Sequence, residues 1–264
     1  MRIAPPSLYY PPTRRSKTDN LKSSALVRKL IKNPNPFKKT KEAIQHTSSN
    51  SRNLMRTPSI NSLILHFDGA LRVLNGVGHP ARPSPATPIE EKQLSEPERN
   101  VSARLMRVNH CGEVCAQALY LGQGLTSKDP HIKATMQQAA REETDHLLWC
   151  EARLTELNSH KSYLNPIFYT MSFISGAFSG LMGNRFNLGF VAATEEQVVK
   201  HLEQHLQRLP SEDKRSKAIL EQMQLDEEQH RTNALSGGGI DFSKPFKSIM
   251  AAISKVMTRT THWI

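Results

Sequence analysis

The chain has 264 residues, 38% hydrophobic and 22% charged, with a formal net charge of +11, enough for one large domain or two small ones. Residues 1–54 hold 12 Lys/Arg against only Asp19 and Glu42, a net of +10, which leaves +1 for the other 210 residues. A core without a basic excess argues against a nucleic-acid-binding domain. The three cysteines, Cys111, Cys115 and Cys150, argue against a disulfide framework and for a reducing compartment.

In chain order, residues 1–54 are rich in Pro, Ser, Asn and Lys, with Pro5, Pro6, Pro11, Pro12, Pro34 and Pro36 interrupting any long helix. This composition predicts a basic disordered extension suited to an anionic lipid surface. It is acid-poor like a mitochondrial transit peptide; a simpler reading makes Met55 the functional start. Residues 55–94 form the next section. A short amphipathic helix is expected over 60–74, with Leu63, Ile64, Phe67, Leu71 and Leu74 at helical spacing, followed by a Pro-rich linker over 79–88.

Residues 95–264 read as an all-α domain. A helix runs from about Glu96 to Leu125, capped by Ser95, with Leu105, Val108, Gly112, Cys115 and Leu119 in one stripe. Ser127 or Asp129, with Pro130, opens a second helix to about Asn158. Pro166 opens an apolar third helix to about Gly183. A fourth ends near Pro210, Ser211 with Glu212 starts a fifth that Gly237, Gly238 and Gly239 stop, and a last helix spans 244–257. Residues 164–184 are 21 long without a charge, enough to test as a membrane span. That reading is rejected, because a span there would put Glu143 and Glu195 on opposite sides of the bilayer. Gly176, Gly180 and Gly183, with Ser172, Ser175 and Ser179, suit close helix packing or a shallow interfacial position. The last helix is a second interfacial candidate: Ile249, Ile253 and Met257 share one side, Lys247, Lys255 and Arg259 flank them, and Trp263 ends it. Cys111 and Cys115 flank Glu113 as an i, i+4 pair beside His110. Packing within the bundle accounts for them, since no second cysteine pair completes a zinc tetrahedron.

The chemistry lies in a repeated pattern. Glu113 is followed 30 residues later by Glu143 and then His146; Glu195 is followed 32 residues later by Glu227 and then His230. The two sets lie 82–84 residues apart, an internal duplication of a two-helix unit. Positions i and i+3 share a helix face, so each Glu-x-x-His pair can point into a bundle. One Glu from each of two helices and Glu-x-x-His from each of two others is the ligand set of a ferritin-like four-helix bundle with a di-iron or di-manganese centre. Four carboxylates and two imidazoles suit iron or manganese better than zinc. By position, Glu143 and Glu227 are expected to bridge two metals, Glu113 and Glu195 to be terminal, and His146 and His230 to take one metal each. Metal-bound imidazoles donate their other N–H to a carboxylate. Asp226 and Glu142, each just before a ligand glutamate, are the expected partners. Asp145, Glu196 and Glu228 are expected to face solvent or form helix ion pairs.

Several strings carry a family resemblance: Met106-Arg-Val-Asn-His-Cys-Gly-Glu-Val-Cys-Ala-Gln-Ala-Leu-Tyr120, Glu142-Glu-Thr-Asp-His-Leu-Leu-Trp-Cys150, Leu188-Gly-Phe-Val-Ala-Ala-Thr-Glu-Glu-Gln-Val198 and Asp226-Glu-Glu-Gln-His230. With residues 254–260 and the terminal Ile264, they resemble the bacterial demethoxyubiquinone hydroxylases of ubiquinone biosynthesis, from about Met55 to the end. Cys111 departs from the Thr or small residue expected before Gly-Glu. The resemblance implies two iron ions, O2 and a polyprenyl demethoxyubiquinol whose ring is hydroxylated. Electrons would come from the quinol or from a reduced nicotinamide donor; the chain has no Gly-rich dinucleotide fingerprint. So apolar a substrate implies peripheral docking on a membrane, with 166–183 and the last helix as candidate channel walls. The expected location is the cytoplasmic face of a cell inner membrane, or the matrix side of the mitochondrial inner membrane if the extension is a transit peptide. A homo-oligomer or association with other ubiquinone-biosynthesis proteins fits the same picture. His201, six residues after Glu195, either positions the quinol and relays protons or is a helix-surface histidine. Two other classes share the features: iron storage or peroxide detoxification on the same fold, and a non-catalytic scaffold of a biosynthetic complex.

Overall fold

In the computed structural model the described residues are 60–264, with side chains from Phe67 onward. The expectations for the basic extension and Met55 lie outside them, and those for the Leu63 and Ile64 side chains lie outside the described side chains. Seven helices and no strand occupy the described residues: α1 (Ile60–Asn75), α2 (Glu96–Thr126), α3 (Pro130–Glu156), α4 (Asn165–Leu181), α5 (Asn184–Arg208), α6 (Lys214–Ser236) and α7 (Lys244–Thr261). The class is the all-α bundle expected from the sequence.

Local chemistry sets the helix ends. The Glu98 carboxylate accepts the Ser95 N–H at 2.9 Å at the start of α2, half of a capping box. Asp129 accepts the His131 N–H at 2.9 Å ahead of Pro130. At α6 the cap is Asp213, which accepts the Ser216 N–H at 3.0 Å, so the helix starts later than Ser211 and Glu212 suggested. Asp213 also receives a guanidinium N–H of the buried Arg153 at 2.8 Å, which selects it over its neighbours.

Helices α2 and α3 pack side by side, as do α5 and α6, and the pairs meet through α3 with α6 and α2 with α5. Between α3 and α6, Met106, Trp149, Leu154, Ile219, Leu220 and Met223 form the main core. Helix α4 lies on α2 so closely that a Cβ on Gly176 would come 2.1 Å from the Leu119 carbonyl oxygen, and one on Gly122 2.2 Å from that of Phe173. Gly176 and Gly180 therefore serve close packing. Gly183 does not: at φ +95° with open space around it, it forms the turn into α5, a conformation glycine adopts without strain.

Two expectations need correction. The stripe on α1 is split: Ala70, Val73 and Leu74 face α2 and α3, while Phe67 and Leu71 are exposed. The 79–88 segment is no free linker. It straps across α3, burying Ala86 in the main core and placing the Arg82 carbonyl 3.3 Å from the Trp149 indole nitrogen. No described helix is long and apolar enough to cross a membrane.

Candidate metal centre

The four helices that pair off carry the six residues of the repeat: Glu113 on α2, Glu143 and His146 on α3, Glu195 on α5, Glu227 and His230 on α6. Ligand atoms of Glu113, Glu143, His146 and Glu227 lie within 4.8 Å of one another, and all four residues are buried. Both imidazoles aim Nδ1 into the carboxylates. His146 Nδ1 is 3.0 Å from Glu143 and 3.0 Å from Glu227; His230 Nδ1 is 3.2 Å from Glu143 and 3.1 Å from Glu227. Each of these glutamates turns one oxygen to each imidazole. Glu113 approaches only His146, at 3.6 Å. Glu195 lies toward the His230 end, where its Oε1 accepts the Tyr120 hydroxyl at 2.6 Å and the Tyr120 ring meets His230 edge-on at 6.4 Å.

The outer nitrogens are held across the repeat. His146 Nε2 is 2.9 Å from Asp226 of the second unit, and His230 Nε2 is 2.8 Å from Glu142 of the first. An acid on Nε2 leaves the Nδ1 lone pair for a cation. Gln222 holds Asp226 at 2.9 Å and Gln138 holds Glu142 at 2.8 Å, so the relay is duplicated along with the ligands.

Burial pushes the Glu113 and Glu195 carboxyls well above the usual carboxylate range and raises the Tyr120 phenol. Burial would raise Glu143 too, but hydrogen bonds from both imidazoles outweigh it and hold this carboxyl low. Burial opposes charge on the imidazoles as well. Asp226 and the surrounding glutamates nevertheless raise His146, and Glu143 with Glu227 bring His230 up to about 12. Four buried carboxylates thus demand positive charge, here in the form of protons. Glu113 Oε2 and Glu195 Oε2 are buried with no hydrogen bond, an arrangement costly unless a cation fills it. An oxygen-rich set with two imidazoles fits a pair of hard or borderline divalent ions.

Glu196 pairs with Lys200 and Lys247 and Glu228 with Arg231, as expected. Asp145 is a correction: it is 3% exposed and turned inward, accepting the Ala81 N–H at 2.6 Å and Arg82 Nε at 2.8 Å. His201 lies away from the carboxylates, its ring 3.9 Å from that of His205, which pairs with Asn109; burial brings its pKa down to about 4. Tyr120 and Arg82 were missed. Tyr120 stands seven residues after Glu113, two turns on and on the same face, a signal available in the sequence. Arg82 lies in an aperiodic Pro-rich stretch with no such signal. Cys111 and Cys150 are buried, Cys115 half-buried, and all three are free.

The family model described as "Ubiquinone biosynthesis protein COQ7" matches residues 100–261, which include all six residues. The chain is 54% identical over 206 residues to the 3-demethoxyubiquinol 3-hydroxylase of Pseudomonas aeruginosa, covering 78% of this chain and 96% of that protein. The protein of the same name in Azotobacter vinelandii is 56% identical over 203 residues, with 76% and 94% covered. That of Nitrosospira multiformis is 51% identical over 207 residues, with 78% and 100% covered.

Proposed function

The chain belongs to the family of ubiquinone biosynthesis protein COQ7, and from that premise we propose that it is a 3-demethoxyubiquinol 3-hydroxylase, an O2-dependent monooxygenase acting on the ring of a polyprenyl demethoxyubiquinol. The observation that carries the reading beyond the family is the pair of shared glutamates, Glu143 and Glu227, each turned to both imidazoles at 3.0–3.2 Å. Such a core holds two ions close together. Glu113 with His146 would hold one iron and Glu195 with His230 the other, with Glu143 and Glu227 between them. Two ferrous ions bound there would supply two electrons to dioxygen, one oxygen atom going to the ring C–H and the other leaving as water, and the quinol or a reduced nicotinamide donor would return the ions to the ferrous state.

The chain's own residues supply the setting. Asp226 and Glu142 fix both imidazoles with Nδ1 inward, and Tyr120 fixes Glu195. Leu105, Met106 and Leu147 wall the surrounding bundle from water. A cleft of about 490 Å³ under α1, lined by Val73, Gln117, Thr144 and Leu147, reaches the turns that carry Glu113 and Glu143. It is where this reading puts the quinol ring. A polyprenyl tail calls for docking on a membrane surface, the cytoplasmic face of the inner membrane or its mitochondrial counterpart. The exposed apolar side chains of α4 and α7 support that.

The test is a quinone profile by mass spectrometry of cells lacking the gene, complemented with wild type or Glu143→Ala. Demethoxyubiquinone that wild type clears and the variant leaves is the expected result. Normal ubiquinone in the deleted strain, with no redundant hydroxylase present, overturns the substrate assignment.

A further inference from the structure

The relay around the two imidazoles is duplicated, but its surroundings are not. On the His230 side, Glu142 receives His230 and Gln138 and is otherwise open, its side chain 42% exposed. On the His146 side the strap adds a cation. Arg82 Nη1 is 2.9 Å from Asp226 Oδ2, the atom that holds His146 Nε2, while Arg82 Nε binds Asp145 at 2.8 Å. The guanidinium lies 5.0 Å over the Trp149 ring, and that indole donates to the Arg82 carbonyl at 3.3 Å. Shifted by the 84-residue repeat, Asp145 corresponds to Gln229, which is exposed. No strap residue among those described makes a hydrogen bond or ion pair with Glu142. His146 is fully buried, whereas the His230 side chain is 11% exposed.

We propose that Arg82 is a positioning residue for the metal site at His146, and that by locking Asp226 it makes that site the tighter of two unequal ones. The inference rests on the di-metal reading above. The physical reason is preorganisation. A guanidinium fork spanning two carboxylates fixes both in one geometry, and Asp226 then has a single direction in which to hold the imidazole. A ligand already set loses less freedom when a cation binds. Glu142 has no such clamp and can swing, so His230 must be ordered as its ion arrives.

Anaerobic titration of the apoprotein with Fe(II), followed by near-infrared circular dichroism, reads the two sites separately. Wild type is expected to fill in two steps. Arg82→Gln should weaken the first by up to about 10-fold, less than the roughly 10- to 100-fold for losing Asp226, the direct partner of the imidazole, and leave the second unmoved. Arg82→Lys, which keeps the charge but not the fork, should recover part of the loss. Glu142→Gln should weaken the second step alone. A single uniform step in wild type overturns the proposal. So does an unmoved first step in Arg82→Gln, or equal weakening of both steps with a fall in apoprotein Tm. Wild type that takes up no Fe(II) overturns instead the di-metal reading on which the proposal stands.

Discussion

The four glutamates of the two halves are equally buried, but His146 on α3 is sealed from solvent while the His230 side chain on α6 is 11% exposed. The helix that brings Glu113 is far better covered than the one that brings Glu195. Nineteen of the 31 residues of α2 are buried, against nine of the 25 of α5. The cause is α4. It covers α2 from Asn165, beside His110, to Gly180, beside Gln123 and Thr126, and the strap closes the far side of α3. The lesson concerns duplicated sites: helix periodicity copies the ligands, while added segments outside the repeat decide how tightly each copy is held. Predictions about the added segments therefore probe the difference between the halves, and those about the ligands do not.

The sharpest way to break the difference is to lift α4 from α2. At Gly176 a Cβ would meet the Leu119 carbonyl oxygen at 2.1 Å and its carbon at 2.9 Å. Backbone cannot step aside as a side chain can, so the helices must separate. Gly176→Ala should cost about 3 kcal/mol, the upper end for overpacking, measured by urea unfolding of the apoprotein. Gly112, on α2 with nothing within 4 Å of its Cβ position, is the control. Gly112→Ala should hold or gain stability through helix propensity. If both variants behave alike, the close contact is not what buries α2.

The buried half also carries a titratable group at a position where the other has none. His110 has 0% exposure, and the 82-residue shift places Ala192 in its position. Burial, with Lys161 adding to it, brings its pKa down to about 3. Its Nδ1 faces the Asn165 amide at 3.4 Å, and Glu151, at 4.0 Å, is already paired with Lys161. Below pH 6.5 the unfolded chain takes up this proton and the folded chain does not, so stability present above 6.5 is lost as pH falls toward 3. Each pH unit is about 1.4 kcal/mol, which gives about 2 kcal/mol between pH 6.5 and 5. Urea unfolding of wild type and His110→Gln at both pH values isolates the term. Wild type should lose about 2 kcal/mol more than the variant; an equal loss would mean His110 is protonated in the folded state.

Sequence made the helices and the six-residue pattern legible because both rest on local rules: caps within three residues, ligands within one turn, a repeat that can be counted. Asp226 and Glu142 were legible as well, being adjacent to ligand glutamates, though not that each reaches the imidazole of the opposite unit. What escaped depends on contacts far along the chain. Arg82 meets Asp145 across 63 residues, from a Pro-rich stretch with no period to read. Asp145 looked like a solvent-facing acid because its inward turn depends on that arginine. Tyr120 was readable at seven residues from Glu113 but stood outside the stripe of Leu105, Val108, Gly112, Cys115 and Leu119, and Asp213 took the α6 cap from Ser211 because the buried Arg153 demanded an anion there.

The smallest expected effect on folding comes from the other face of α4. Ile167, Met171, Ile174, Phe178 and Leu181 follow at spacings of four and three residues, each more than half exposed, so the helix that buries α2 with its glycines turns an unbroken apolar stripe outward. Exchanging Ile174 and Phe178 for serine removes no buried contact, and stability should stay within about 0.5 kcal/mol. Binding to vesicles containing anionic lipid should change far more. Burying an Ile or Phe side chain contributes about 1.5–3 kcal/mol, so losing even half of that at both positions weakens partitioning by roughly 10- to 150-fold. Co-sedimentation with vesicles measures the loss directly, and sedimentation velocity without lipid separates a membrane from a second copy as occupant. Wild type that floats free of vesicles but sediments as a dimer, with the double variant monomeric, would assign the stripe to an interface between copies and leave the quinol to be drawn from the membrane elsewhere.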